Sequence, residues 1–378
     1  MNHPIKILVV APNFPYKKDT VYPFVKNLCD EFSKKGLEVS ILAPQSITSA
    51  ILHFGKLRPK KWSYEVGNSK IVVYQPYSIT PLHRMLKLYN LLIQQCILYF
   101  LRKEKIKADI CYCHFWCSAY WVLPYMKRNN IPVFVASGES QISEILSNRK
   151  QYPDFKDYVK GVICVSSKNR DESVSLGYTT VEKCSIFPNA INPVLFYERD
   201  KKSCRSHLGL PQDVFIVVFV GWFIDRKGPL RVAEAISKVG GVYSLFIGKG
   251  EQEPHCEGIL FKGSLPHDEI PLYLNAADCF VLPTLHEGCC NAVVEAMACG
   301  LPVISSNLPF NWDVLDETNS ILVDPNNIDE IVKAISLLRD DNIMRCELAK
   351  GALTKAKSLT IEKRSEGILR FIKDKFNN

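Results

Sequence analysis

Short apolar runs alternate with segments of helical periodicity along the first half of the chain. Segment 21–35 is typical of the helical ones, because Phe24, Leu28 and Phe32 share one face and Gly36 follows its end. The apolar runs fall at 5–10, 39–42, 71–74, 110–113, 133–135 and 162–165. They are apolar throughout and do not alternate with polar residues, so they predict a parallel sheet covered on both faces.

The second half repeats this alternation. Strands are predicted at 215–220, 243–247, 258–261, 279–282 and 303–305, and helices at 229–239, 271–276, 292–299 and 328–338. Two such series predict an α/β protein with two doubly wound, Rossmann-like parallel-sheet domains. Ligands of open parallel sheets bind at the carboxyl ends of the strands, so two domains facing each other would form a cleft.

The periodic pattern lapses between residues 187 and 211, where three prolines and a charged run occur. This segment predicts the connection between the domains. We therefore expect an N-terminal domain at 1–187, a C-terminal domain at 188–360 and a C-terminal helix at 361–378. That helix has an apolar stripe that includes Ile361, Ile368 and Ile372, and we expect it to pack back on the N-terminal domain.

The charge is distributed unevenly over the 378 residues, whose net charge is +8. Residues 1–188 contain 26 Lys and Arg against 14 Asp and Glu, whereas the remainder is slightly acidic. No signal peptide or membrane-spanning apolar stretch is recognised, so we expect a cytoplasmic protein. Its 14 cysteines are then expected to be reduced and to pack as small apolar side chains.

A basic N-terminal half predicts an anionic partner. Zinc-finger spacings and RNP-type aromatic runs are missing, which argues against nucleic acid. Two features favour an anionic membrane surface and peripheral attachment to the inner face of the plasma membrane. One is the basic-aromatic cluster of Lys56, Arg58, Lys60, Lys61 and Trp62. The other is a Leu-, Ile- and Tyr-rich segment between Arg84, Lys87 and the basic residues Arg102, Lys103, Lys105 and Lys107. A core helix with solvated basic ends explains the second feature equally well.

Three predicted strands of the second half are followed by loops that contain glycines and charged residues. "GWFIDRKGPL" contains Arg226 and Lys227, "GKGEQE" follows the next strand, and "PTLHEGCCN" contains Glu287 and precedes a helix that contains Glu295. Glycine turns, helix amino termini and a lysine suit a diphosphate, whereas carboxylates suit sugar hydroxyls. A nucleoside diphosphate sugar presents both kinds of group.

Other chemistries are less well supported by the sequence. The dehydrogenase fingerprint needs a third glycine, but Glu253 stands at that position after Gly248 and Gly250. Cys111, Cys113, His114 and Cys117 suggest a metal site, yet no second ligand pair with suitable spacing occurs. A D-x-D triplet, which would chelate a divalent metal, is missing from the chain.

In these loops and the segments around them, the chain resembles the retaining glycosyltransferases of family 4, which have the GT-B fold. "EGCCNAVVEAMACGLPVI" is similar to that family's E-x7-E motif and the stretch that follows it. "KGSLPHDEIPLYLNAADCFVLPT", "PNAIN" and "ILVDPNNIDEIVKAI" are similar to further family segments. The resemblance implies two Rossmann-like domains facing across a cleft, an N-terminal one for the acceptor and a C-terminal one for the nucleotide sugar.

The resemblance also implies roles for individual residues. Glu295 would accept hydrogen bonds from the ribose hydroxyls, and Glu287 would hold hydroxyls of the transferred sugar. Lys227 would bind the diphosphate, and His114 would face the donor sugar. The other donor-side residues implied are Gly221, Gly288, Cys289, Cys290 and Asn291.

The chain departs from the family pattern in three loops. Trp222 stands where the family often has arginine, and Arg226 is expected to supply that charge. The first loop, "NFPYKKDTVYPF", lacks the family's paired glycines. The family's His-Gly position reads Ser137-Gly138, followed by Glu139, and these residues are expected on the acceptor side together with Asn189.

The sequence therefore predicts a retaining glycosyltransferase that needs no divalent metal or other cofactor. Its donor would be a nucleoside diphosphate sugar and its acceptor a saccharide or lipid-linked molecule, in envelope or capsular polysaccharide biosynthesis. Two alternatives remain open. One is a nucleotide-sugar epimerase or hydrolase of the same fold, and the other is a non-catalytic, nucleotide-binding partner subunit.

Overall fold

A computed structural model describes residues 4–17, 22–52, 57–79, 86–142 and 155–377. The chain separates into two compact units, one made of Met1–Phe187 with Ser365–Asn378 and the other of Pro188–Arg364. The first division falls between residues 187 and 188. The second lies within the last helix, at 364/365, four residues beyond the predicted start of the C-terminal segment.

The first unit contains one large sheet with helices around it. Its elements are β1 (Lys6–Val10), α1 (Pro23–Lys34), β2 (Glu38–Leu42), β3 (Gln45–Ser46), α2 (Ile47–Leu52), β4 (Lys61–Val66), β5 (Ser69–Tyr74), β6 (Tyr77–Ser78), α3 (Leu86–Glu104), β7 (Ile110–His114), α4 (Trp116–Arg128), β8 (Val133–Ser137), α5 (Phe155–Tyr158), β9 (Val159–Cys164), α6 (Ser167–Ser175) and β10 (Cys184–Ile186). The strand order is β10-β9-β8-β7-β1-β2-β5-β4, and every neighbouring pair except β4–β5 is parallel.

The antiparallel edge strand β4 was not predicted from the sequence. Its residues alternate between exposed and half-buried, which is the pattern of a hairpin with one solvated face. Part of the predicted basic-aromatic cluster is used here for internal packing. Trp62 donates through Nε1 to Gln75 Oε1, and Arg58 Nη1 donates to the Phe14 carbonyl oxygen. These two residues therefore stabilise the unit, whereas Lys56 and Arg84 lie outside the described residues.

The second unit is a six-stranded parallel sheet between layers of helices. Its elements are α7 (Lys201–Leu208), β11 (Ile216–Val220), α8 (Pro229–Val239), β12 (Tyr243–Ile247), β13 (Ile259–Gly263), α9 (Ile270–Ala276), β14 (Cys279–Leu282), α10 (Asn291–Ala298), β15 (Val303–Ser306), β16 (Ser320–Val323), α11 (Ile328–Asp340), α12 (Asn342–Ala356) and α13 (Ile361–Asn377), of which the last ends in the first unit. The order β13-β12-β11-β14-β15-β16 is that of a doubly wound nucleotide-binding sheet.

The central strands of both sheets are fully buried, as their continuous apolar runs predicted. β7, β8, β11 and β14 have no exposed residue at all. Burying such runs on both faces is the main stabilisation of a parallel sheet, at about 25 cal/mol per Å² of apolar surface. The strands are therefore rigid supports for the loops at their carboxyl ends.

Candidate functional site

The strand order of the second sheet reverses between β11 and β14, and the loops that follow these two strands are joined by hydrogen bonds. The Leu285 N–H donates to the Arg226 carbonyl oxygen at 2.8 Å, and the Thr284 hydroxyl donates to the same oxygen at 3.1 Å. Ligands of doubly wound sheets bind at such a reversal. The structure thus brings Arg226 and Lys227 beside Glu287 at the expected place for a ligand.

A tight turn fixes the position of Lys227. Residues 225–227 form one 3₁₀ turn, and Gly228 follows with φ of 77°, a value that favours glycine. Arg231 braces this turn, because its Nη1 contacts Asp225 Oδ1 at 2.9 Å and its Nη2 donates to the Pro283 carbonyl oxygen at 3.1 Å. Lys227 is consequently a buried cation with a fixed backbone.

One carboxylate oxygen of Glu287 collects three partners. Lys227 Nζ lies 2.5 Å from Glu287 Oε1, and Arg226 Nη1 lies 2.6 Å from it. The Thr284 hydroxyl, which is fully buried, lies 3.1 Å from the same oxygen. The acid and both bases form a compact charged cluster with one net positive charge, which is suited to an anion.

The protonation states within this cluster follow from burial and charge. Burial alone would lower the pKa of Lys227, but Cys290 and the Glu287 carboxylate outweigh it and raise that pKa above its usual value. Burial raises the pKa of Cys289 to about 12 and also raises that of Cys290. Lys227 is therefore charged at neutral pH, and the two thiols are protonated and poorly suited to redox chemistry.

Two glycines hold the loops after β11 and β12 against each other. A Cβ atom at Gly248 would overlap the carbonyl oxygen of Gly221, and one at Gly250 would overlap that of Phe223. Backbone hydrogen bonds join the two loops. The Gly221 N–H donates to the Ile247 carbonyl oxygen at 2.9 Å, and the Phe223 N–H donates to the Lys249 carbonyl oxygen at 2.8 Å. These glycines are required for close backbone approach, so both turns form one rigid surface.

Trp222, at the position where arginine would be expected, is more than half exposed and lies under the Lys249 ammonium, 5.6 Å from the ring centroid. Arg226, expected to supply the missing charge, points instead to Glu287 and to the His286 carbonyl oxygen, which it contacts at 2.6 Å. Its charge is present at the site and is paired with Glu287.

Helix α10 begins directly after the Glu287 loop. Cys290 is its N-cap residue, Asn291 its first residue, and Gly288 and Cys289 precede it. Asn189, expected on the acceptor side, belongs to the second unit, where its Nδ2 donates to the Cys289 carbonyl oxygen at 2.8 Å. The structure therefore groups Asn189 with the donor-side residues.

Glu295 lies in the second turn of α10 and makes a contact that the sequence did not indicate. Its Oε1 is 2.9 Å from Nε2 of His267, in the loop that follows β13. The hydrogen bond to Glu295 raises the pKa of His267, although burial acts in the opposite direction. The only signal in the sequence was a polar residue shortly after a strand end, within "SLPHDEIP".

The remaining predicted residues lie in the first unit. His114 ends β7 and is buried among aromatic rings, with centroids of Phe115 at 4.3 Å and Phe24 at 5.4 Å. Phe115 has φ of 76° and ψ of 156°, a conformation normally confined to glycine that costs about 1–3 kcal/mol. Strain of this kind collects at functional positions, so it adds weight to the expectation for His114.

Ser137 ends β8, Gly138 and Glu139 follow it, and the Glu139 carboxylate lies between them. Glu139 Oε1 accepts from the Trp116 N–H at 2.7 Å, at the start of α4, and Oε2 accepts from the Gly138 N–H at 3.0 Å. The Ser137 hydroxyl lies 3.4 Å from Oε2. Burial raises the pKa of Glu139 to about 7, against the opposing effect of these hydrogen bonds.

Comparison with known proteins agrees with this geometry. Residues 200–355 match the family Glycosyl transferases group 1, which covers most of the second unit. TuaC of Bacillus subtilis, assigned as a teichuronic acid biosynthesis glycosyltransferase, is 26% identical over 372 residues, 91% of this chain and 92% of its own. The Escherichia coli UDP-Gal:α-D-GlcNAc-diphosphoundecaprenol α-1,3-galactosyltransferase is 29% identical over 202 residues, 48% of this chain and 52% of its own.

Residues 200–355 form a glycosyl transferases group 1 domain. Among solved structures, HepE from Anabaena in complex with UDP-glucose superimposes with a TM-score of 0.73 at 15% identity, covering 98% of this chain and all of that one. The fold is therefore GT-B, with two Rossmann-like halves. The family match and the named relatives show that the protein is a glycosyltransferase.

A metal site in this glycosyltransferase is not visible in the described part of the chain. Those residues contain no group of three or more His, Cys, Asp or Glu side chains arranged to hold an ion. Cys111 and Cys113 are fully buried on one face of β7 with their sulfurs 3.6 Å apart. They pack in the core as small apolar side chains.

Proposed function

We propose that the glycosyltransferase moves a sugar from a nucleoside diphosphate sugar to a saccharide or lipid-linked acceptor, with retention of anomeric configuration. The observation that carries this proposal is the cluster of Lys227, Arg226 and Glu287 at the reversal point of the second sheet. A buried, charged lysine beside the amino terminus of α10 is suited to the two phosphates. The complex of HepE with UDP-glucose supports a donor of this class.

The chemistry expected of this cluster is electrostatic. When the bond from the sugar carbon to the phosphate oxygen breaks, negative charge grows on the diphosphate, and Lys227 and the α10 N–H groups stabilise it. Glu287 orients the sugar through its hydroxyls. The oxygen of the acceptor hydroxyl bonds to the sugar carbon on the face that the diphosphate leaves, and its proton passes to the departing phosphate oxygen. No divalent ion is needed if these groups carry the charge of the leaving group.

Two relatives support an acceptor of this class. TuaC is assigned to teichuronic acid biosynthesis, and the Escherichia coli relative acts on a diphosphoundecaprenol-linked sugar. We propose a role in building a cell-envelope polysaccharide. In the first unit, His114 is proposed to face the donor sugar, and Ser137, Gly138 and Glu139 to contribute to the acceptor site.

We further propose that the first unit attaches peripherally to an anionic membrane. Helix α3 exposes Leu88, Leu91, Leu92 and Tyr99. Exposed basic residues lie at and beyond its carboxyl end: Arg102, Lys103, Lys105 and Lys107. An apolar face beside a basic cluster suits anionic lipid, which binds both kinds of group. Within the described residues every helix falls short of the length and apolarity needed to cross a membrane.

The proposed activity is tested in two steps. A thermal-shift screen with UDP-, GDP-, ADP- and CMP-sugars identifies the donor, because a ligand that binds only the folded protein raises its melting temperature. The donor is then incubated with and without diphosphoundecaprenol-linked and free saccharide acceptors. Sugar transfer with retained configuration supports the proposal. Epimerised donor or free sugar formed equally well without acceptor would favour an epimerase or hydrolase, and binding without any product would favour a partner subunit.

A further inference from the structure

His267 and Glu295 come from separate parts of the second unit and meet at the edge where the strands end. His267 lies four residues after β13, and Glu295 lies on α10. Their side chains approach to 2.9 Å, and Glu295 is almost buried, whereas about a third of the histidine side chain is exposed. This contact joins a loop and a helix across 28 residues of chain, so it has to be built by the fold.

The contact engages one oxygen of the carboxylate and fixes the ring that donates to it. Nε2 of His267 faces Glu295 Oε1, and within the described residues Oε2 of Glu295 has no hydrogen bond. The imidazole packs against the buried ring of Phe196, with centroids 5.1 Å apart. The histidine is therefore held in place by an aromatic ring on one side and a carboxylate on the other.

The charges around the pair favour a donating histidine. Glu295 and the adjacent Asp268 both act to raise the pKa of His267. Cys299 is the C-cap residue of α10, and burial together with the nearby Glu295 charge raises its pKa to about 12, so it stays a neutral thiol. Among the described residues, the hydrogen-bond partner of His267 Nε2 is Glu295 Oε1.

We propose that His267 is a positioning residue of the nucleoside end of the donor site: by donating to Oε1, it aims Oε2 of Glu295 at the ribose hydroxyls. This inference rests on the proposed assignment of Glu295 to the ribose. A carboxylate on a helix can rotate about its side-chain bonds, and a fixed donor removes that freedom before the ligand arrives. His267 thereby makes the site selective for a ribose diol over a deoxygenated sugar.

The test is a calorimetric comparison of ligands that differ only in the ribose. UDP, or whichever of UDP, GDP, ADP and CDP binds the wild-type protein, is titrated beside its 2′,3′-dideoxy analogue and inorganic pyrophosphate. For His267→Ala we expect affinity for the ribonucleotide to fall about tenfold, the effect of losing one charge-assisted hydrogen bond. Affinities for the dideoxy analogue and for pyrophosphate should change less than twofold.

Two further variants separate positioning from simple folding. The side-chain amide of His267→Gln can reach the place of Nε2, so it should restore ribonucleotide affinity to within about threefold of wild type, whereas the shorter His267→Asn should not. In a Glu295→Gln background, His267→Ala should lower ribonucleotide affinity little further. Equal losses for all three ligands, or no rescue by glutamine, would overturn the proposal while leaving the transferase assignment standing. Failure of all four nucleotides to bind the wild-type protein would overturn both.

Discussion

Lys227 Nζ and Glu287 Oε1 are 2.5 Å apart, and both residues are at least nine-tenths buried. The cation proposed to hold the diphosphate is thus paired with the acid proposed to hold the sugar. A donor has to share or displace this pairing when it binds. The two roles are therefore coupled through charge, which residue types and spacing alone did not reveal.

This coupling predicts that Glu287→Gln changes nucleoside diphosphate affinity and kcat/KM in different ways. Removing the carboxylate frees Lys227 and Arg226 from their shared partner, so affinity for the bare nucleoside diphosphate should be unchanged or rise a few-fold. The value of kcat/KM with the full donor should fall at least tenfold, because the sugar is no longer held in its reactive position. Calorimetry with the diphosphate and steady-state kinetics provide the two measurements. A loss of diphosphate affinity as large as that of Glu295→Gln would contradict the division of roles.

Glu295→Gln should behave differently, since the ribose is common to donor and free nucleotide. The variant loses a charged hydrogen bond worth ~1.5–3 kcal/mol, so affinity for both ligands should fall about tenfold or more. Pyrophosphate binding serves as the control and should be nearly unchanged. If the free nucleotide binds normally and only turnover falls, Glu295 does not contact the ribose.

Turnover should not depend on a divalent metal. The charge of the leaving group is assigned to Lys227 and to the α10 amino terminus, so activity after exhaustive chelation should be largely retained. Initial rates are compared before and after treatment with EDTA, with Mg²⁺ and Mn²⁺ added back. Activity that disappears and returns with either ion would show that these groups are insufficient.

Vesicle binding should depend on both the apolar and the basic part of the α3 surface. Each Lys or Arg near an anionic surface contributes ~1 kcal/mol, so Arg102→Glu with Lys103→Glu should abolish most sedimentation with phosphatidylserine or phosphatidylglycerol vesicles. Leu91→Asn with Leu92→Asn should weaken it through the apolar contribution. The control pair, Lys333→Glu with Lys350→Glu, makes the same charge change on exposed residues of the second unit. Binding that is equal with neutral vesicles and insensitive to salt would rule out this surface.

Glu139 should make the folded protein less stable as the pH rises, which is the opposite of the usual effect of a carboxylate. Its pKa in the folded protein is about 7, compared with an ordinary value of 4.5, so the folded state binds this proton more tightly than the unfolded state. The contribution of Glu139 to the free energy of unfolding is then fully present below pH 4.5 and is lost as the pH rises through about 7. Glu139→Gln should raise the melting temperature relative to wild type more at pH 8 than at pH 4.5. The same comparison for the exposed Glu104→Gln should show no such difference.

The sequence predicted the second unit well because its strands are apolar runs with short loops between them. Strands Tyr243–Ile247 and Cys279–Leu282 and helix Pro229–Val239 have the predicted bounds. The edge strand β4 was missed because its alternation lies in a basic, aromatic segment that is also typical of a surface cluster. The edge strand β16, Ser320–Val323, was also missed.

Pairings within the site were harder to predict than its residues. Lys227 and Glu287 were identified from their loops, but their contact depends on the hydrogen bonds between those loops. His267 was overlooked because a single histidine after a strand has no spacing signal until α10 is packed beside it. Asn189 was assigned to the C-terminal domain, but its hydrogen bond to the Cys289 carbonyl oxygen was not predicted, because it forms only when the linker folds against that loop.

The contact between the turns at Gly221 and Gly248 also limits how this enzyme can change its substrate. Any side chain at Gly248 or Gly250 would collide with the backbone of the neighbouring turn. Substitution at these positions therefore disrupts the fold, whatever ligand the site binds. Variation has to accumulate at neighbours that point outward, such as the exposed Trp222. A search for altered donor preference should therefore randomise Trp222 and Lys249 and leave the two glycines untouched.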